Sequence, residues 1–533
     1  MNYNSKFKFT IILSFLLLSA IFTMAQTNLS ALIPMPNKCT TIQNKFYQIR
    51  TTDRIYSNNS KLDFAASCLQ NIISRRLNLS LNKSDNITMH NAGICLMLDN
   101  QMKGREHYSI KIDASKILIS GATPEAVLYG VMTFDQLMLG DVCRTSKHQI
   151  TAVTIDDSPR IERRALMLDP ARNFIPAKDV KVFMDQMMKY KYNVLQLHLT
   201  DDQGWRMEIK GEPKLTAAGP FYTQDELKEL IEYGAKRNIE IVPELDIPGH
   251  TVAILAAYPE LGCTTSDTIK KVLGKTTNLM LCASQEGVYT IYHKIINQVA
   301  NLFPSPYIHL GGDESVINKN WGMCERCKKL MSEKGYTQAS QLMIPFFERM
   351  LGFVKEGGKQ AMLWCELNDI RYPANKYLFP YPKDVLLVSW RDGLTPTCID
   401  LTNKSGNKML LAPGEYTYFD YPQLKGDLPE FNNWGMPITT LKKCYEFDPG
   451  YNLPADKQNH IVGVMGTLWG EAIKDINRVF YMTYPRAFAL SEAGWTQMQN
   501  RSWQSFKQRL YPNLLDLIKQ GISVRAPYEI ANE

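Results

Sequence analysis

The chain has 533 residues, of which 45% are hydrophobic and 21% charged, and its formal net charge is +7. This composition is that of an ordinary globular protein, with enough chain for one large domain and a smaller one. Because the positive charge is spread without a Lys/Arg block, a nucleic-acid-binding protein is not indicated.

Residues 1–25 have the features of a secretory signal peptide. Lys6 and Lys8 form a basic start, an apolar stretch follows, and Thr23 and Ala25 supply small residues for cleavage after Ala25. An uncleaved membrane anchor is the alternative, since the stretch is close to the shortest length that spans a bilayer. We therefore expect an exported protein, periplasmic or extracellular, with no integral membrane segment in the mature chain.

Residues 26–158 are predicted to form a smaller α/β domain. The runs G-I-C-L-M-L and Y-S-I-K-I are typical of strands, and the apolar spacing of E-A-V-L-Y-G-V-M-T-F-D-Q-L-M fits a helix. This region carries no plausible catalytic cluster, so we interpret it as a support domain.

Residues 159–533 alternate short apolar runs with amphipathic segments. Eight runs are predicted strands, namely 164–169, 194–199, 239–244, 307–312, 360–364, 385–390, 408–412 and 461–469. Such alternation, repeated eight times, predicts a (β/α)8 TIM barrel with C-terminal helices. A doubly wound open sheet is the main alternative. It would normally carry a Gly-rich phosphate turn after its first strand, and the sequence has none there.

Polar and aromatic residues follow nearly every predicted barrel strand. They include Asp169, Arg172, Asp201, Asp202, Glu244, Asp246, His250, Asp313, Glu314, Trp364, Trp390, Tyr418, Asp420, Trp469 and Glu471. The carboxyl ends of barrel strands share one face, so these side chains should converge on one cavity. Carboxylates together with indoles indicate a carbohydrate pocket, and paired acids indicate glycoside hydrolysis. Taken singly, each has a plainer explanation, such as a core tryptophan or an acid that caps a helix.

The eleven cysteines leave at least one without a partner. Cys324 and Cys327 form a lone C-x-x-C motif. Without a second Cys or His pair nearby in the sequence it is weak evidence for zinc, and a local disulfide or two reduced thiols is favoured.

Three motifs carry a family resemblance. H-L-T-D-D-Q-G-W, P-E-L-D-I-P-G-H and H-L-G-G-D-E, in this order and spacing, resemble the β-N-acetylhexosaminidases of glycoside hydrolase family 20. The resemblance implies an exo-acting, retaining enzyme that removes terminal β-linked GlcNAc, with GalNAc as a further candidate, from glycans or chito-oligosaccharides. It also implies that the substrate's own 2-acetamido oxygen attacks C1 to form an oxazolinium intermediate, so no metal or organic cofactor is expected.

The resemblance also implies roles for individual residues. Glu314 would be the general acid and then the base, and Asp313 would hold the acetamido N–H. Tyr418 would bind the acetamido oxygen. His250, with either Asp201 or Asp202, would form a relay that tunes the acid. Two glycines precede the acidic pair, and we expect them to leave room for the sugar.

The same resemblance supplies the remaining pocket residues. Arg164 would grip the hydroxyls of the terminal sugar together with Glu471 and Asp420. Trp364, Trp390 and Trp469 would wall the pocket around the acetamido methyl group. Cys263 and Cys282 flank a loop in the way that a family disulfide does.

Two other functions stay open at this point. One is a family member that releases a disaccharide, as lacto-N-biosidases do; Arg164, Asp420 and Glu471 argue against it because they imply a pocket for one sugar. The other is an inactive glycan-binding protein, which the intact Asp313 and Glu314 disfavour. The segments W-C-E and L-W-G-E depart from the usual family pattern, which affects the expected fine specificity and not the reaction class.

Overall fold

The computed structural model describes residues 31–83, 88–142, 148–264, 266–272, 279–366, 380–427, 435–451 and 453–528. The predicted signal peptide lies outside these residues. The chain forms two compact units. The first takes the chain up to Arg160 together with Lys189–Lys191 and Trp495–Ile522, and the second takes Ile161–Met188, Tyr192–Gly494 and the chain from Ser523.

The first unit is built on a seven-stranded mixed sheet with the strand order β1-β7-β5-β6-β4-β2-β3. Its strands are β1 Lys38–Gln48, β2 Arg54–Ser57, β3 Asn82–Lys83, β4 Ile94–Leu98, β5 Tyr108–Ile112, β6 Ile117–Gly121 and β7 Gln149–Asp157. Its helices are Asp63–Leu77, Pro124–Val142 and Trp503–Lys519. In β5 every second side chain is buried, the pattern of a strand with one face on a core. The predicted smaller α/β domain is therefore confirmed.

A buried acid joins the sheet of this unit to its other segments. Asp157 accepts a hydrogen bond from the Tyr108 hydroxyl at 2.5 Å and from the Trp495 indole N–H at 3.0 Å. The Lys191 ammonium donates to the same carboxylate at 3.2 Å. Both Asp157 and Lys191 are buried, so each charge depends on the other to offset its loss of hydration.

The second unit is a closed barrel of eight parallel strands. They are β8 Arg163–Leu168, β9 Val194–His198, β10 Glu240–Ile247, β11 Tyr307–Gly311, β12 Gln360–Trp364, β13 Leu386–Ser389, β14 Met409–Leu411 and β15 Ile461–Leu468. Strand β15 pairs with β8, which closes the barrel. Each strand overlaps one of the eight predicted runs, so the (β/α)8 barrel is confirmed and the open sheet is excluded.

Helices connect and follow these strands. They are Ala177–Lys189, Gln224–Ala235, Val252–Ala257, Ser266–Val272, Glu286–Leu302, Ile317–Asn320, Glu325–Glu333, Met343–Glu356, Thr395–Ser405, Gly414–Thr417, Leu441–Glu446, Ala455–Gln458, Ile476–Thr483 and Arg486–Trp495. Helix Gln224–Ala235 begins at a capping box, in which Thr223 and Glu226 satisfy each other's backbone N–H groups. No helix among the described residues is long and apolar enough to cross a membrane.

Apolar side chains fill the barrel interior, so the residues at its carboxyl end pack on a buried hydrophobic core. This cluster comprises Ala165, Met167, Val194, Val242, Met362, Trp364, Leu386, Val388, Leu410, Ala412 and Met465. Such a filled barrel is a rigid core and leaves chemistry to the loops at the ends of the strands.

We predict that Asp157→Asn destabilises the first unit by about 3 kcal/mol, because it leaves the Lys191 ammonium buried without its anion. Urea unfolding followed by circular dichroism measures this loss. Asp156→Asn is the matched control, since the Asp156 side chain is 52% exposed and its loss should change little. Equal losses in the two variants would contradict the stabilising role of the buried pair.

Candidate active site

Charged side chains gather where the barrel strands end. Asp169 directly follows β8, His198 is the last residue of β9, and Glu244 and Asp246 lie in the second half of β10. Asp313 comes two residues after β11. All five side chains are buried, although isolated charges are costly to bury. Each therefore needs a partner, and the partners define the site.

Glu244 is the centre of one group of buried partners. Its Oε2 atom accepts from the Gln196 amide at 2.8 Å and lies 2.9 Å from His198 Nδ1. Its Oε1 atom accepts from the Trp364 indole N–H at 2.8 Å and lies 3.2 Å from His309 Nδ1. Burial alone would raise the pKa of Glu244, but the neighbouring charges of His198 and His309 hold it well below its usual value. Glu244 therefore stays ionised.

Asp201 links this group to the rest of the pocket. Its carboxylate lies 2.8 Å from His198 Nε2, 2.9 Å from Arg172 Nη2 and 3.4 Å from His250 Nδ1. Burial would raise the pKa of Asp201, but the positive charge of Arg172 and of the two histidines lowers it well below the usual range. Asp201 is thus a fixed negative charge among three cations.

The structure separates the two neighbouring aspartates that the sequence left as alternatives. Asp202 accepts a hydrogen bond from the backbone N–H of Val252 at 3.1 Å, at the start of the helix that follows β10. Its own N–H donates to Asp201 Oδ1 at 2.6 Å. Since Asp201 carries the carboxylate paired with His250, Asp201 is the aspartate placed for the predicted relay, and Asp202 shapes the loop.

His250 stands between Asp201 and the acidic pair. Its Nε2 atom lies 3.9 Å from Asp313 Oδ2 and 3.8 Å from Glu314 Oε2. Burial would lower the pKa of His250, but the charges of Asp201, Asp246 and Asp313 raise it well above its ordinary value. The imidazole is therefore protonated near neutral pH and faces both carboxylates.

The backbone of the G-G-D-E segment is unusual. Gly311 and Gly312 have φ angles of +65° and +100°, and Glu314 has +46°. A Cβ atom on Gly311 would lie 1.7 Å from Asp246 Oδ1. Gly311 therefore leaves room for Asp246, whereas a Cβ atom on Gly312 would lie 3.3 Å from the Phe347 ring. The expectation that these glycines leave room for the sugar stays a prediction.

The unsatisfied buried atoms of this site include one acceptor and one donor close to the acidic pair. Asp313 Oδ1, an acceptor when ionised, and the Tyr418 hydroxyl, a donor, have no hydrogen-bond partner among the described residues. Burial raises the pKa of Asp313, as does the charge of Glu314, while His250 opposes both. Burial also raises the pKa of Tyr418 well above its usual value, so its hydroxyl keeps its proton. Buried polar atoms without a hydrogen-bond partner are rare in folded proteins, so these two are free to bind a ligand or water.

The three predicted tryptophans occupy different positions. Trp364 is fully buried and packs against Trp469 with 5.7 Å between ring centroids. Trp469 and Trp390 are partly buried and pack against Tyr418 and its neighbours. The Trp390 indole N–H has no partner among the described residues. Trp390 and Trp469 can therefore offer surface to a ligand, whereas Trp364 supports Trp469 and Glu244.

Arg172 and two predicted acids lie together at the end of β8 and β15. Arg172 Nε is 3.4 Å from Glu471 Oε1, and the guanidinium is 5.0 Å from the centre of the Trp469 ring. Asp420 Oδ1 accepts from the Trp469 backbone N–H at 3.4 Å. Burial, then the charge of Glu471, raises the pKa of Asp420 well above its usual value. Glu471 thus lies beside both Arg172 and Asp420.

Arg164 does not join this group, and its predicted place in the pocket is wrong. Its guanidinium donates to the backbone carbonyls of Ile161 and Glu162 at 2.8 and 3.0 Å. Arg164 is the second residue of β8, so it lies at the amino end of the barrel, opposite to the site. Arg172, which follows the end of the strand, takes the place that was assigned to Arg164.

Sequence reasoning also missed an ion pair beside the acidic pair. Glu366 follows β12, and its Oε1 atom accepts from the Arg391 guanidinium at 2.6 Å. Burial raises the pKa of Glu366 to about 8 against the opposing charge of Arg391, with a further increase from Asp313 and Glu314. Its position two residues after the end of β12 was the signal in the W-C-E segment.

The expected disulfide is not formed. Cys263 and Cys282 are both free thiols in this structure, and so are Cys324 and Cys327.

The barrel and its paired acids, imidazoles and indoles are those of a carbohydrate-active TIM-barrel enzyme. Residues 162–498 match the catalytic domain of glycosyl hydrolase family 20, and residues 29–158 match domain 2 of that family. The chain belongs to glycosyl hydrolase family 20, and it is a glycoside hydrolase of the β-hexosaminidase type.

Individual relatives agree with this assignment. A β-hexosaminidase from Akkermansia muciniphila is 35% identical over 430 residues, which are 78% of this chain and 84% of the relative. The crystal structure of an exo β-N-acetylglucosaminidase from Vibrio harveyi, in complex with N-acetylglucosamine, has a TM-score of 0.81 at 27% identity. The match covers 93% of this chain and 78% of that one. A β-N-acetylhexosaminidase from Bacteroides fragilis has a TM-score of 0.78 at 25% identity, covering 94% of this chain and 99% of that one.

The placement of the two arginines is testable with aryl β-N-acetylglucosaminide. Arg172→Lys should lower kcat/KM about 10- to 100-fold, since a charge-assisted hydrogen bond contributes about 1.5–3 kcal/mol. Arg164→Lys is the matched control and should lower thermal stability while leaving kcat/KM near the wild-type value. An equal fall of kcat/KM in the two variants would contradict this placement.

Proposed function

We propose that the protein is an exo-acting, retaining β-N-acetylhexosaminidase in which the acetamido group of the substrate is the nucleophile. The observation that carries this proposal is the set of Asp313, Glu314 and Tyr418 at the end of the barrel. Two of these residues present unsatisfied buried atoms, and the third is a partly exposed carboxyl beside them.

Asp313 Oδ1 and the Tyr418 hydroxyl together match the hydrogen-bonding pattern of a secondary amide. An acetamido group has one N–H donor and one carbonyl acceptor. Asp313 Oδ1 would accept from the N–H, and the Tyr418 hydroxyl would donate to the carbonyl oxygen. This pair of contacts would turn the carbonyl oxygen toward C1 and would reject a sugar that has a hydroxyl at C2.

The reaction then needs two proton transfers, both at Glu314: it loses one proton in the first step and takes another from water in the second. In the first step the acetamido oxygen bonds to C1, the bond from C1 to the leaving oxygen breaks, and Glu314 gives its proton to that oxygen. In the second step Glu314 takes a proton from water, the water oxygen bonds to C1, and the oxazolinium ring opens. Two displacements at C1 retain the configuration, and Asp313 stabilises the positive charge between them.

His250 connects the acid to the fixed charge of Asp201. Its distance of 3.8 Å from Glu314 Oε2 suits an electrostatic influence on the proton of Glu314 in both steps. Because Asp201 also holds Arg172, the same carboxylate connects the reacting end of the pocket to the end that recognises the sugar.

Arg172, Asp420 and Glu471 support release of a single sugar. The guanidinium of Arg172 offers donors, and the carboxyl groups of Asp420 and Glu471 offer acceptors, to the outer hydroxyls of one terminal sugar ring. This arrangement disfavours a longer site that binds a disaccharide. We take GlcNAc as the terminal sugar, with GalNAc as a second substrate, on glycans or chito-oligosaccharides. The signal-like residues 1–25 support an exported enzyme, in the periplasm or outside the cell.

Participation by the acetamido group is tested by comparing two substrates. The protein should cleave aryl β-N-acetylglucosaminide rapidly and aryl β-glucoside at least about 10³-fold more slowly, because the glucoside lacks the internal nucleophile. The absorbance of the released phenol measures both rates. Comparable rates would indicate a protein nucleophile, and cleavage of neither would favour a disaccharide-releasing or binding-only protein.

The separate roles of the acidic pair are tested with leaving groups of different acidity. Glu314→Gln should lower turnover on a natural disaccharide about 10²–10⁴-fold but much less on a dinitrophenyl glycoside, which needs little acid assistance. Asp313→Asn is the matched variant and should slow both substrates, since the acetamido oxygen attacks C1 in the same step in which either group departs. Equal losses on both substrates in the Glu314 variant would refute its role as the acid.

A further inference from the structure

Four cysteines that are far apart in the sequence meet in the barrel unit. The sulfur atoms of Cys263, Cys282, Cys324 and Cys327 all lie within 4.8 Å of one another. Cys327 Sγ is 3.6 Å from Cys282 Sγ and 3.8 Å from Cys263 Sγ, and Cys282 Sγ is 3.9 Å from Cys324 Sγ. The fold therefore supplies the second cysteine pair that the C-x-x-C motif lacked in the sequence.

These separations fit ligands around one metal ion. Zinc binds four thiolates tetrahedrally at about 2.3 Å, which places neighbouring sulfur atoms about 3.8 Å apart. A disulfide needs its two sulfur atoms at about 2.05 Å. We propose that Cys263, Cys282, Cys324 and Cys327 bind one structural Zn²⁺ ion.

Local structure presents the four sulfur atoms on two supports. Gly262 and Leu281 form an antiparallel bridge, and the Cys282 N–H donates to the Leu261 carbonyl at 2.8 Å. This bridge sets Cys263 and Cys282 side by side. Cys324 directly precedes the helix Glu325–Glu333 and Cys327 lies in its first turn, so both face the same end of that helix.

The surroundings of the cluster suit a metal thiolate. Three of the four cysteines are buried and Cys263 is partly exposed. Ser284 Oγ lies 3.3 Å from Cys282 Sγ and 3.7 Å from Cys327 Sγ. Hydrogen bonds from outside the ligand set commonly orient metal ligands.

A cation lies beside the cluster. Arg326, between the cysteines of the C-x-x-C motif, donates to the Gly262 carbonyl at 2.6 Å, directly before Cys263. Four thiolates and one Zn²⁺ carry a net charge of −2, which the guanidinium partly offsets. The arrangement would leave uncompensated charge if the four sulfur atoms ionised without a metal.

The ion would tie two barrel loops together. Cys263 and Cys282 belong to the segment that follows His250, and Cys324 and Cys327 to the segment that follows Glu314. The Trp321 indole N–H already joins these segments by donating to the Leu281 carbonyl at 2.7 Å. Zinc would hold them in place and would take no part in the reaction, so its loss should change stability and substrate positioning together.

Metal content tests the proposal directly. The purified full-length mature protein, with no affinity tag that binds metal, should contain about one zinc per chain by mass spectrometry of the metal. Cys327→Ser should lose nearly all of it and unfold at a lower temperature. Cys95→Ser, at a buried cysteine of the first unit, is the matched control and should keep its zinc.

A second measurement uses the wild-type chain and covers the case in which Cys327→Ser fails to fold. Titration with a mercurial reagent should release the zinc to a chromophoric chelator, and Co²⁺ in its place should show the charge-transfer absorption of tetrahedral thiolate ligation. The proposal is overturned if the protein binds neither Zn²⁺ nor Co²⁺, or if folded Cys327→Ser retains its zinc. It is equally overturned if the intact mass shows the four cysteines joined in disulfides.

Discussion

The site depends on the burial of several carboxylates at the carboxyl end of one barrel. Arg172 and the imidazoles of His198, His250 and His309 compensate them, and the compensation is uneven. Asp201 and Glu244 lie against cations and have lowered pKa values. Asp246 and Asp313 lie among other acids and have raised pKa values, with burial as the largest cause. One packed cluster therefore holds both fixed anions and carboxyls that accept protons readily.

The acidic pair, Asp313 and Glu314, lies where a cation and several carboxyl groups meet. Glu314 lies beside Asp313 and a protonated His250, and a short chain of charges leads from His250 through Asp201 to Arg172. Arg172 belongs to the part of the pocket that would recognise the sugar. In the proposed reaction, Asp201 and His250 would therefore connect the group that recognises the sugar to the group that transfers the proton.

Backbone conformation provides the second constraint. Gly311, Gly312 and Glu314 all have positive φ, which turns the chain sharply where β11 ends. The turn gives the two adjacent acids different surroundings, since Asp313 is buried and the Glu314 side chain is 34% exposed. Positive φ in a glutamate is costly, and its presence here is consistent with strain retained for function. The proposed zinc site would hold the loop that leaves this turn.

The sequence by itself determined the barrel, because eight apolar runs with helical segments between them admit few other arrangements. It also determined the acidic pair, because H-L-G-G-D-E is specific as a motif. Tertiary structure decided what depends on direction and on distant partners. It placed Arg172 in the pocket instead of Arg164, because Arg164 lies at the amino end of β8 and Arg172 lies beyond its carboxyl end. It also paired His250 with Asp201 and the Val252 N–H with Asp202, because neighbouring side chains point in different directions. It also brought Cys263 and Cys282 to Cys324 and Cys327, because a contact between two loops leaves no periodic signal in the chain.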